Sequence, residues 1–490
     1  MLDIDKILRN EETLDPEDWD KMRHLGHKMM DDMFDYFQSL RNRPVWKSPD
    51  EVMKAALNKP VPAQPEDIDK TYSDFLTTVL PFNKGNVHPR FWAWVEGNGT
   101  PFGMLADMLA SGLNPNLGVA NTSAVYVEYQ VINWMKEILG FDPDASGLLV
   151  SGGSVANLVG IAVARNSLAE FKIRENGLTG VSGKLTIYCS TETHSSVQKA
   201  VELLGIGSNA LRKIPVNKDF QISIDTLKEK ISEDKKSGFI PFCIVGNAGT
   251  VNTGAIDPLN ELADICAEEN LWLHVDGAFG AFTYLVDELK FMVKGMERAD
   301  SLAFDLHKWM YMPYESGCTL IRNQEKHKNA FVLTPEYLIK FEEGLAAGPE
   351  PLSNYGIQLS RGFRALKVWM SLKEHGINKY KKLIRQNIAQ AQYLERLISG
   401  KTELEILAPV PLNIVCYRFV QPGISNEALD KLNKDILIQL QLRGIAAPSH
   451  TIINGKFALR AANVNHRSRK EDFETLVNET VKIGYELLKR

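Results

Sequence analysis

Ser301-Leu-Ala-Phe-Asp-Leu-His-Lys-Trp-Met310 is the stretch of sequence that decides the fold. Its apolar start predicts a buried β-strand, and Lys308 follows where that strand ends. A buried ammonium group is costly unless it is paired, neutral or covalently used, although a lysine just beyond a strand can also extend to solvent. Asp276, 32 residues upstream, follows the apolar run Leu271-Trp-Leu-His-Val275 in the same way.

An acid and a lysine at the ends of two parallel strands can together bind one kind of cofactor. Such strand ends face the crevice where open α/β sheets bind ligands. Pyridoxal phosphate needs a lysine that holds it as a Schiff base and a carboxylate that keeps its ring nitrogen protonated, so that the ring accepts electrons. Lys308 and Asp276 therefore predict a site for this cofactor.

Length and composition are typical of a soluble globular enzyme. The 490 residues are 44% hydrophobic, enough for a large domain and at least one smaller one. A net charge of −5 without a basic block argues against nucleic-acid binding. The N-terminal sequence lacks a secretory pattern and no apolar run approaches about 18 residues, so we expect a cytoplasmic protein without membrane contact. The five cysteines are isolated, which predicts reduced thiols and no metal site.

The order of the patterns divides the chain into three regions. Residues 1–85 predict a helical arm, with apolar residues at helical spacing from Asp15 to Leu40 and Pro16 in the first turn. Residues 86–372 alternate strand-like and helical segments, which predicts a doubly wound α/β domain with a mainly parallel sheet. Residues 373–490 predict a small α+β domain. The strand-like runs of the large domain are Leu148 to Val150, Leu185 to Cys189, Phe242 to Val245, Leu271 to Val275, Leu302 to Phe304 and Cys318 to Ile321.

Ser151-Gly-Gly-Ser-Val-Ala-Asn157 follows the first of these strands and opens a helix. Small residues let backbone amides approach an anion, and a helix N-terminus favours negative charge, so this loop is a candidate phosphate cradle. A plain strand-to-helix turn is the alternative. The loop is neither a Walker loop nor a dinucleotide fingerprint, which disfavours a nucleotide.

Three further polar side chains follow predicted strands. His194 could stack on a bound aromatic ring, Thr250 offers a hydroxyl, and His307, directly before the lysine, could donate to a phosphate. Each of them alone would pass for an ordinary loop, turn or core residue. The specific signal is the order along the chain: phosphate loop, ring-stacking histidine, hydroxyl, acid and lysine.

With these residues in this order, the sequence resembles the group II pyridoxal-phosphate-dependent amino-acid decarboxylases from about Asp15 to the last helix. The resemblance implies the aspartate-aminotransferase type of fold, with a mainly parallel seven-stranded sheet in the large domain. It also implies a homodimer with active sites between the subunits, in which the N-terminal helices embrace the partner. The matching segments are His88 to Trp94, Met104 to Leu109, Ser151 to Asn157, His194 to Val197, His274 to Asp276, His307 to Trp309 and Arg361 to Lys367.

The resemblance assigns a role to individual residues. Lys308 would form the Schiff base, and Asp276 would pair with the ring nitrogen. Ala278 would pack under the ring while His194 stacks on its other face. The other implied cofactor contacts are Thr250 near the ring, Gly153, Ser154 and His307 at the phosphate, and Asp305, which stands where relatives often place a neutral polar group.

The implied reaction is loss of CO2 from an L-amino acid, followed by protonation at Cα to give a primary amine. In aromatic decarboxylases a tyrosine on a mobile loop is thought to deliver that proton, and Leu352 stands at its position here. Either Tyr355 or Tyr337 reaches the site by another path, or proton delivery differs. Oxidative deamination to an aldehyde is therefore the alternative on the same scaffold.

Substrate contacts are identified less directly. Relatives present a hydroxyl residue to the substrate where this chain has Gly97, and Asn98 is a nearby substitute. Trp94, close to Phe91 and Trp92, favours an apolar or aromatic substrate, although packing in the core also accounts for such residues. The further alternatives are a non-catalytic protein that keeps the fold, and a carbon–carbon lyase or aminotransferase that uses the same lysine and acid.

Overall fold

The computed structural model describes residues 3–9, 11–333, 335 and 340–489. The α-helices of this part of the chain are α1 Ile4–Leu8, α2 Trp19–Ser39, α3 Glu51–Leu57, α4 Ile68–Asp74, α5 Pro101–Leu113, α6 Ser123–Ile138, α7 Gly153–Asn166, α8 Ile173–Asn176, α9 Ser195–Leu203, α10 Ile224–Lys236, α11 Leu259–Glu269, α12 Leu306–Trp309, α13 Gln324–Phe331, α14 Arg364–His375, α15 Ile377–Ser399, α16 Asn426–Leu442 and α17 Lys470–Leu488. The strands are β1 Phe91–Trp92, β2 Ser146–Val150, β3 Lys184–Ser190, β4 Leu211–Ile214, β5 Phe239–Asn247, β6 Trp272–Asp276, β7 Ser301–Asp305, β8 Gly317–Ile321, β9 Leu404–Ile406, β10 Ile414–Phe419, β11 Ala447–Ile453 and β12 Lys456–Ala462.

The larger sheet has seven strands in the order β2-β8-β7-β6-β5-β3-β4. β8 runs antiparallel to both of its neighbours, and the other strands share one direction. Residues of β2, β6, β7 and β8 are buried along the whole strand, because α6, α7 and α11 are among the helices that pack on this sheet. The predicted fold class is confirmed, and all six strand-like runs lie in this sheet.

β4 is the strand of this sheet that the sequence pattern did not indicate. It lies at the sheet edge, and only its first and last residues, Leu211 and Ile214, are buried. An edge strand of four residues with Arg212 and Lys213 between them gives too short an apolar signal to recognise.

The carboxyl ends of the parallel strands lie together at one edge of the larger sheet. Val150, Ser190, Asn247, Asp276 and Asp305 are the last residues of β2, β3, β5, β6 and β7. The segments that continue from these residues carry most of the predicted cofactor contacts. The sheet therefore brings to one place residues that are up to about 150 positions apart in sequence.

The predicted N-terminal helix begins at Trp19 and not near Asp15. Asp18 is the N-cap, since its carboxylate accepts hydrogen bonds from the backbone amides of Asp20 and Lys21. Pro16 lies before the helix. This correction leaves the apolar spacing that predicted α2 unchanged.

A second sheet of five strands forms in the C-terminal region, in the order β1-β11-β12-β10-β9, and α15, α16 and α17 pack against it. α16 begins directly after Ser425, whose hydroxyl caps the helix by accepting a hydrogen bond from the backbone N–H of Ala428. β1 pairs in parallel with β11, Phe91 opposite Ala447. A short segment from the predicted large domain thus joins the small sheet, and the boundaries after residues 85 and 372 remain predictions.

All five cysteines are unpaired and buried. Burial raises the pKa of the Cys189 and Cys416 thiols to about 12, which keeps them protonated at neutral pH. Among the residues with described positions, no helix is long and apolar enough to cross a membrane. The same residues contain no group of three side chains arranged to hold a metal ion.

Candidate active site

A cavity of about 460 Å³ lies at the carboxyl edge of the larger sheet. Its lining includes ten of the residues predicted from the sequence: Trp94, Gly153, Ser154, His194, Thr250, Asp276, Ala278, Asp305, His307 and Lys308. These residues come from six separate segments of the chain. Their meeting in one cavity is the arrangement that the order of motifs predicted.

The structure does not bring Gly97 or Asn98 to this cavity. A Cβ atom at Gly97 would overlap the carbonyl oxygen of His307, so this position can carry no side chain toward a substrate. The Asn98 side chain is 1% exposed and donates to the side chain of Asn465. Gly97 thus lies against the backbone of His307, and Asn98 against the side chain of Asn465, on the segment that follows Trp94.

Tyr355 also lies away from the cavity in this chain. Its hydroxyl accepts a hydrogen bond from Gln324 Nε2 at 3.0 Å, and its ring packs on His327. Leu352, at the position of the expected tyrosine, is buried at 1% exposure in the same short helical turn. Tyr337 lies outside the described residues.

The loop between β2 and α7 forms an anion cradle. Gly152 is the N-cap of α7, and a Cβ atom added there would lie 3.2 Å from Cε1 of His307. A Cβ atom at Gly153 would lie 2.9 Å from Oδ2 of Asp305. The two glycines therefore keep open the space in front of the first amides of α7, which lack acceptors within the helix and favour a negative charge.

His307 lies beside this cradle with its ring held in one orientation. Its Nδ1 lies 3.0 Å from the carbonyl oxygen of Ser316, and its ring centroid lies 4.3 Å from that of Tyr314. Burial lowers the pKa of His307, so the ring is neutral at pH 7. When Nδ1 accepts a hydrogen bond from the backbone N–H of Ser316 at 3.2 Å, the proton of the neutral ring is on Nε2, which can donate to a phosphate without adding charge.

The carboxylate of Asp276 is fixed by two donors at the end of β6. Asn157 Nδ2 donates to Oδ2 at 2.9 Å, and the backbone N–H of Ala278 donates to Oδ1 at 3.1 Å. The residue is only 5% exposed. A carboxylate held in this way can keep a proton on a neighbouring ring nitrogen, because the pair is shielded from water.

Asn157 connects Asp276 to His194. Its Nδ2 also donates to the Ser196 hydroxyl at 2.9 Å, and that hydroxyl lies 2.8 Å from Nδ1 of His194. The backbone N–H of Ser196 donates to the same Nδ1 at 3.2 Å, so Nδ1 is an acceptor and the proton of the neutral ring is on Nε2. Burial lowers the pKa of His194, which favours this neutral form.

The far end of this hydrogen-bond chain is fixed by Trp272, because an indole N–H can only donate. It donates to Ser301 Oγ at 2.7 Å, and the Ser301 hydroxyl lies 2.7 Å from Nδ1 of His274. His274 Nε2 then donates to Asn157 Oδ1 at 2.9 Å. Burial lowers the pKa of His274 to about 4, so its ring stays neutral. Every hydrogen bond from Trp272 to His194 thus has a determined direction.

Asn157 and His274 lie within the matching segments, but no role was predicted for them. Their spacing from predicted site residues could have indicated that they face the site. Asn157 lies one helical turn after Gly153, and His274 lies two residues before Asp276 on the same side of β6. Ser196 and Ser301 carried no comparable signal, because their roles depend on which strands are neighbours.

Lys308 extends from the short helix α12 to the cavity. Its Nζ lies 2.9 Å from Oδ2 of Asp305, and its side chain is 22% exposed. The lysine is therefore paired and partly accessible to a molecule in the cavity.

Pyridoxal phosphate fits these residues. The glycine cradle offers amides to a phosphate, Lys308 offers an amine, and Asp276 offers a fixed carboxylate at the other side of the cavity. When bound, this cofactor supplies an electron sink for the bond that is broken in the substrate. In such a complex Asp276 would hold the ring proton, His194 would stack on the ring and donate from Nε2, and the buried walls would exclude water.

Comparison with known proteins agrees with this assignment. The family model described as "Pyridoxal-dependent decarboxylase conserved domain" matches residues 49–420. An aromatic-L-amino-acid decarboxylase from Bacillus atrophaeus is 37% identical over 92% of this chain and 93% of its own length. A phenylacetaldehyde synthase from Petunia hybrida is 30% identical over 92% of this chain and 90% of its own.

The solved structures give the same result at the level of fold. The crystal structure of Oryza sativa TDC with PLP and tryptamine has a TM-score of 0.89 and 25% identity, and the match covers 97% of this chain and 100% of that one. The chain belongs to the pyridoxal-dependent decarboxylase family, and it is a pyridoxal-phosphate-dependent carboxy-lyase that acts on an amino acid.

Proposed function

We propose that the protein decarboxylates an aromatic L-amino acid and releases CO2 and the primary amine. The observation that carries this proposal is the character of the cavity mouth, where Trp94, Val95 and Tyr314 offer aromatic and apolar surface. The two glutamates beside them are each paired with a cation, Glu96 with Lys84 and Glu315 with Arg364. The described lining also contains no arginine, which disfavours a substrate with an acidic side chain.

Trp94 has an unusual backbone conformation that neighbouring residues hold in place. Its φ of 53° lies in the left-handed region, which a bulky side chain rarely adopts. Its carbonyl oxygen accepts a hydrogen bond from Arg460 Nη1 at 3.0 Å, and Lys84 Nζ lies 4.4 Å from the ring centroid. The side chain is still 54% exposed, so an aromatic face remains available to a substrate.

The family relatives support the same substrate class. The Bacillus atrophaeus relative is named an aromatic-L-amino-acid decarboxylase. In this chain, Nε2 of His194 makes no hydrogen bond to a described residue and carries a proton. It is therefore free to donate to the substrate carboxylate and to set the bond to be broken at the correct angle to the ring.

Oxidative deamination to an aldehyde is the second candidate, and one observation favours it. Leu352 is buried where relatives carry the proton-donating tyrosine, and the hydroxyl of Tyr355 is engaged by Gln324. The Petunia hybrida relative at 30% identity is named a phenylacetaldehyde synthase. A site that protonates Cα slowly would give oxygen more time to react.

The test is to incubate purified holoenzyme with a panel of L-amino acids and to measure CO2, amine, aldehyde, ammonia and peroxide together. We expect one amine per CO2 with phenylalanine, tyrosine or tryptophan. Aldehyde and ammonia in equal amounts to CO2 would establish the second candidate. Activity confined to glutamate or cysteine sulfinate would contradict both.

Lys308→Ala is the control that ties the activity to this site. We expect turnover to fall by about 10³-fold or more, with loss of the visible Schiff-base absorption. Lys230→Ala, on the exposed face of α10, should leave both unchanged. Full turnover by Lys308→Ala would rule out the assignment of this lysine.

We also propose that the protein acts as a homodimer held in part by the N-terminal arm. Trp19, Met29, Val52 and Leu57 expose apolar side chains on α2 and α3, which a second copy would cover. Light scattering should give the mass of a dimer, and Trp19→Ser should shift it toward monomer at low concentration. Leu203→Ser, at an apolar residue that is 76% exposed on α9, is the control. A wild-type protein that is monomeric at all concentrations would contradict this proposal.

A further inference from the structure

Asp305 is a buried carboxylate that stands where a neutral polar cofactor contact was expected, and no role toward the cofactor has been given to its charge. It is 2% exposed at the end of β7, and its Oδ2 pairs with Lys308. Its Oδ1 has no hydrogen-bond partner among the described residues. A buried carboxylate oxygen without a partner is costly, so this atom is expected to face a group that is present only when the enzyme is loaded.

The position of Asp305 identifies that group. Its Oδ1 lies 3.6 Å from the Cβ position of Gly152 and 2.8 Å from that of Gly317. Its Oδ2 lies 2.9 Å from the Cβ position of Gly153. The carboxylate therefore borders the same space at the N-terminus of α7 that holds the cofactor phosphate.

A carboxylate and a phosphate in one buried space are in electrostatic conflict. Both groups are negatively charged, and their oxygens can only accept hydrogen bonds unless one of them carries a proton. A single proton between the two groups removes one charge and forms a short, strong O–H···O⁻ hydrogen bond. It also gives Oδ1 of Asp305 the partner that it lacks.

The other charged and titratable groups around Asp305 do not resolve this conflict. They are Lys308, His307, His194, Asp276 and Tyr314. Burial lowers the pKa of both histidines, so they are neutral from pH 7 to pH 9. Asp276 adds negative charge, and Lys308 is the one cation, already used by the Schiff base.

We propose that Asp305 and the cofactor phosphate share one proton, so that binding of the cofactor takes up a proton from solution. The inference rests on the use of pyridoxal phosphate by this site. Cofactor affinity should therefore fall as pH rises, because binding consumes a proton and the concentration of free protons becomes lower. An asparagine at this position would donate from its amide and would need no proton.

The test uses pyridoxal 5′-phosphate itself, because its Schiff base with Lys308 would take that cation away from Asp305, whereas an amine analogue would leave the two paired. Calorimetric titration of cofactor-free enzyme at pH 8, in two buffers with different ionisation heats, counts the protons taken up. We expect wild type to take up about one more proton than Asp305→Asn. Cofactor affinity is also measured by tryptophan fluorescence from pH 7 to pH 9. For each pH unit, the affinity of wild type should fall by a factor about ten times larger than that of this variant.

Asp300→Asn is the control, since Asp300 is a half-buried acid just before the opposite end of the same strand. It should show the wild-type proton count and slope. Asp305→Ser provides a second carboxylate-free protein if Asp305→Asn does not fold. Equal proton uptake by wild type and the carboxylate-free variants would overturn the proposal. Failure of wild type to bind the probe at any pH would instead contradict the use of this cofactor.

Discussion

The two ends of the active-site cavity differ in how their residues are held. At the cofactor end, Asp276 and His194 are fixed by a hydrogen-bond chain that reaches into the sheet, and strand ends supply the backbone. At the mouth, Trp94 and Tyr314 are partly exposed and come from loops. The chemistry common to the family thus lies on rigid elements, and the surface that selects a substrate lies on segments that can change without disturbing it.

After Lys308→Ala, Asp276→Asn gives the largest expected effect at the cofactor end. Loss of the carboxylate would lower the pKa of the ring nitrogen by about two units, which corresponds to about 2.7 kcal/mol or about a 100-fold fall in kcat. Steady-state kinetics and the pH dependence of the bound cofactor spectrum measure the two effects together. A fall in kcat of less than about threefold would show that ring protonation does not depend on this residue.

Gly97→Ala tests how firmly the segment that follows Trp94 is held beneath the mouth. The added methyl group would overlap the carbonyl oxygen of His307, so we expect a loss of about 1–3 kcal/mol in the free energy of unfolding. Gly26→Ala in α2 is the matched control, because its Cβ would meet nothing within 4 Å and should stabilise the helix slightly. Thermal unfolding curves of the two variants are compared directly. Similar curves would mean that the backbone at Gly97 can move freely.

The residues at the cofactor end could be predicted from the sequence more accurately than those near the mouth, and the reason is physical. Lys308, Asp276 and the glycines of the cradle follow apolar strands directly, so their order along the chain already placed them at one edge of the sheet. Asn98 and Tyr355 were named for their closeness to motifs. Their side chains are engaged by Asn465 and Gln324, from distant segments whose approach no local pattern records.

The same limit applies to the fold. Strands buried on both faces, such as β6 and β7, were recognisable as apolar runs, whereas β4 and the two-residue β1 were not. β1 exists because Phe91 and Trp92 pair with β11 from the C-terminal region, more than 350 positions away. Pairing of that kind depends on tertiary contacts and not on the local sequence.

Asn157→Leu would break the connection between Asp276 and His194. Without the amide donor, the Ser196 hydroxyl is free to accept a hydrogen bond from a protonated His194, so we expect the pKa of His194 to rise from its lowered value. The active neutral form is lost as pH falls through that pKa, and the acid limb of kcat/KM should therefore move to higher pH, with about a tenfold fall in kcat at pH 7. Ser301→Ala, remote from the cofactor, should give a smaller change in the same direction. An unchanged pH profile in Asn157→Leu would leave this residue with a packing role only.

Trp94→Leu is expected to have the smallest effect and to separate the two ends most clearly. Removal of the indole face should raise KM for an aromatic substrate about threefold to tenfold, because aromatic contacts contribute about 0.5–1.5 kcal/mol beyond burial. The cofactor lies deeper, so its affinity and absorption spectrum should not change. Comparison of kcat/KM for tryptophan and for leucine in both proteins measures the shift in preference. If Trp94→Leu weakened cofactor binding as much as substrate binding, the cavity would be one cooperative unit, and the contrast between a rigid chemical end and an adaptable mouth would fail.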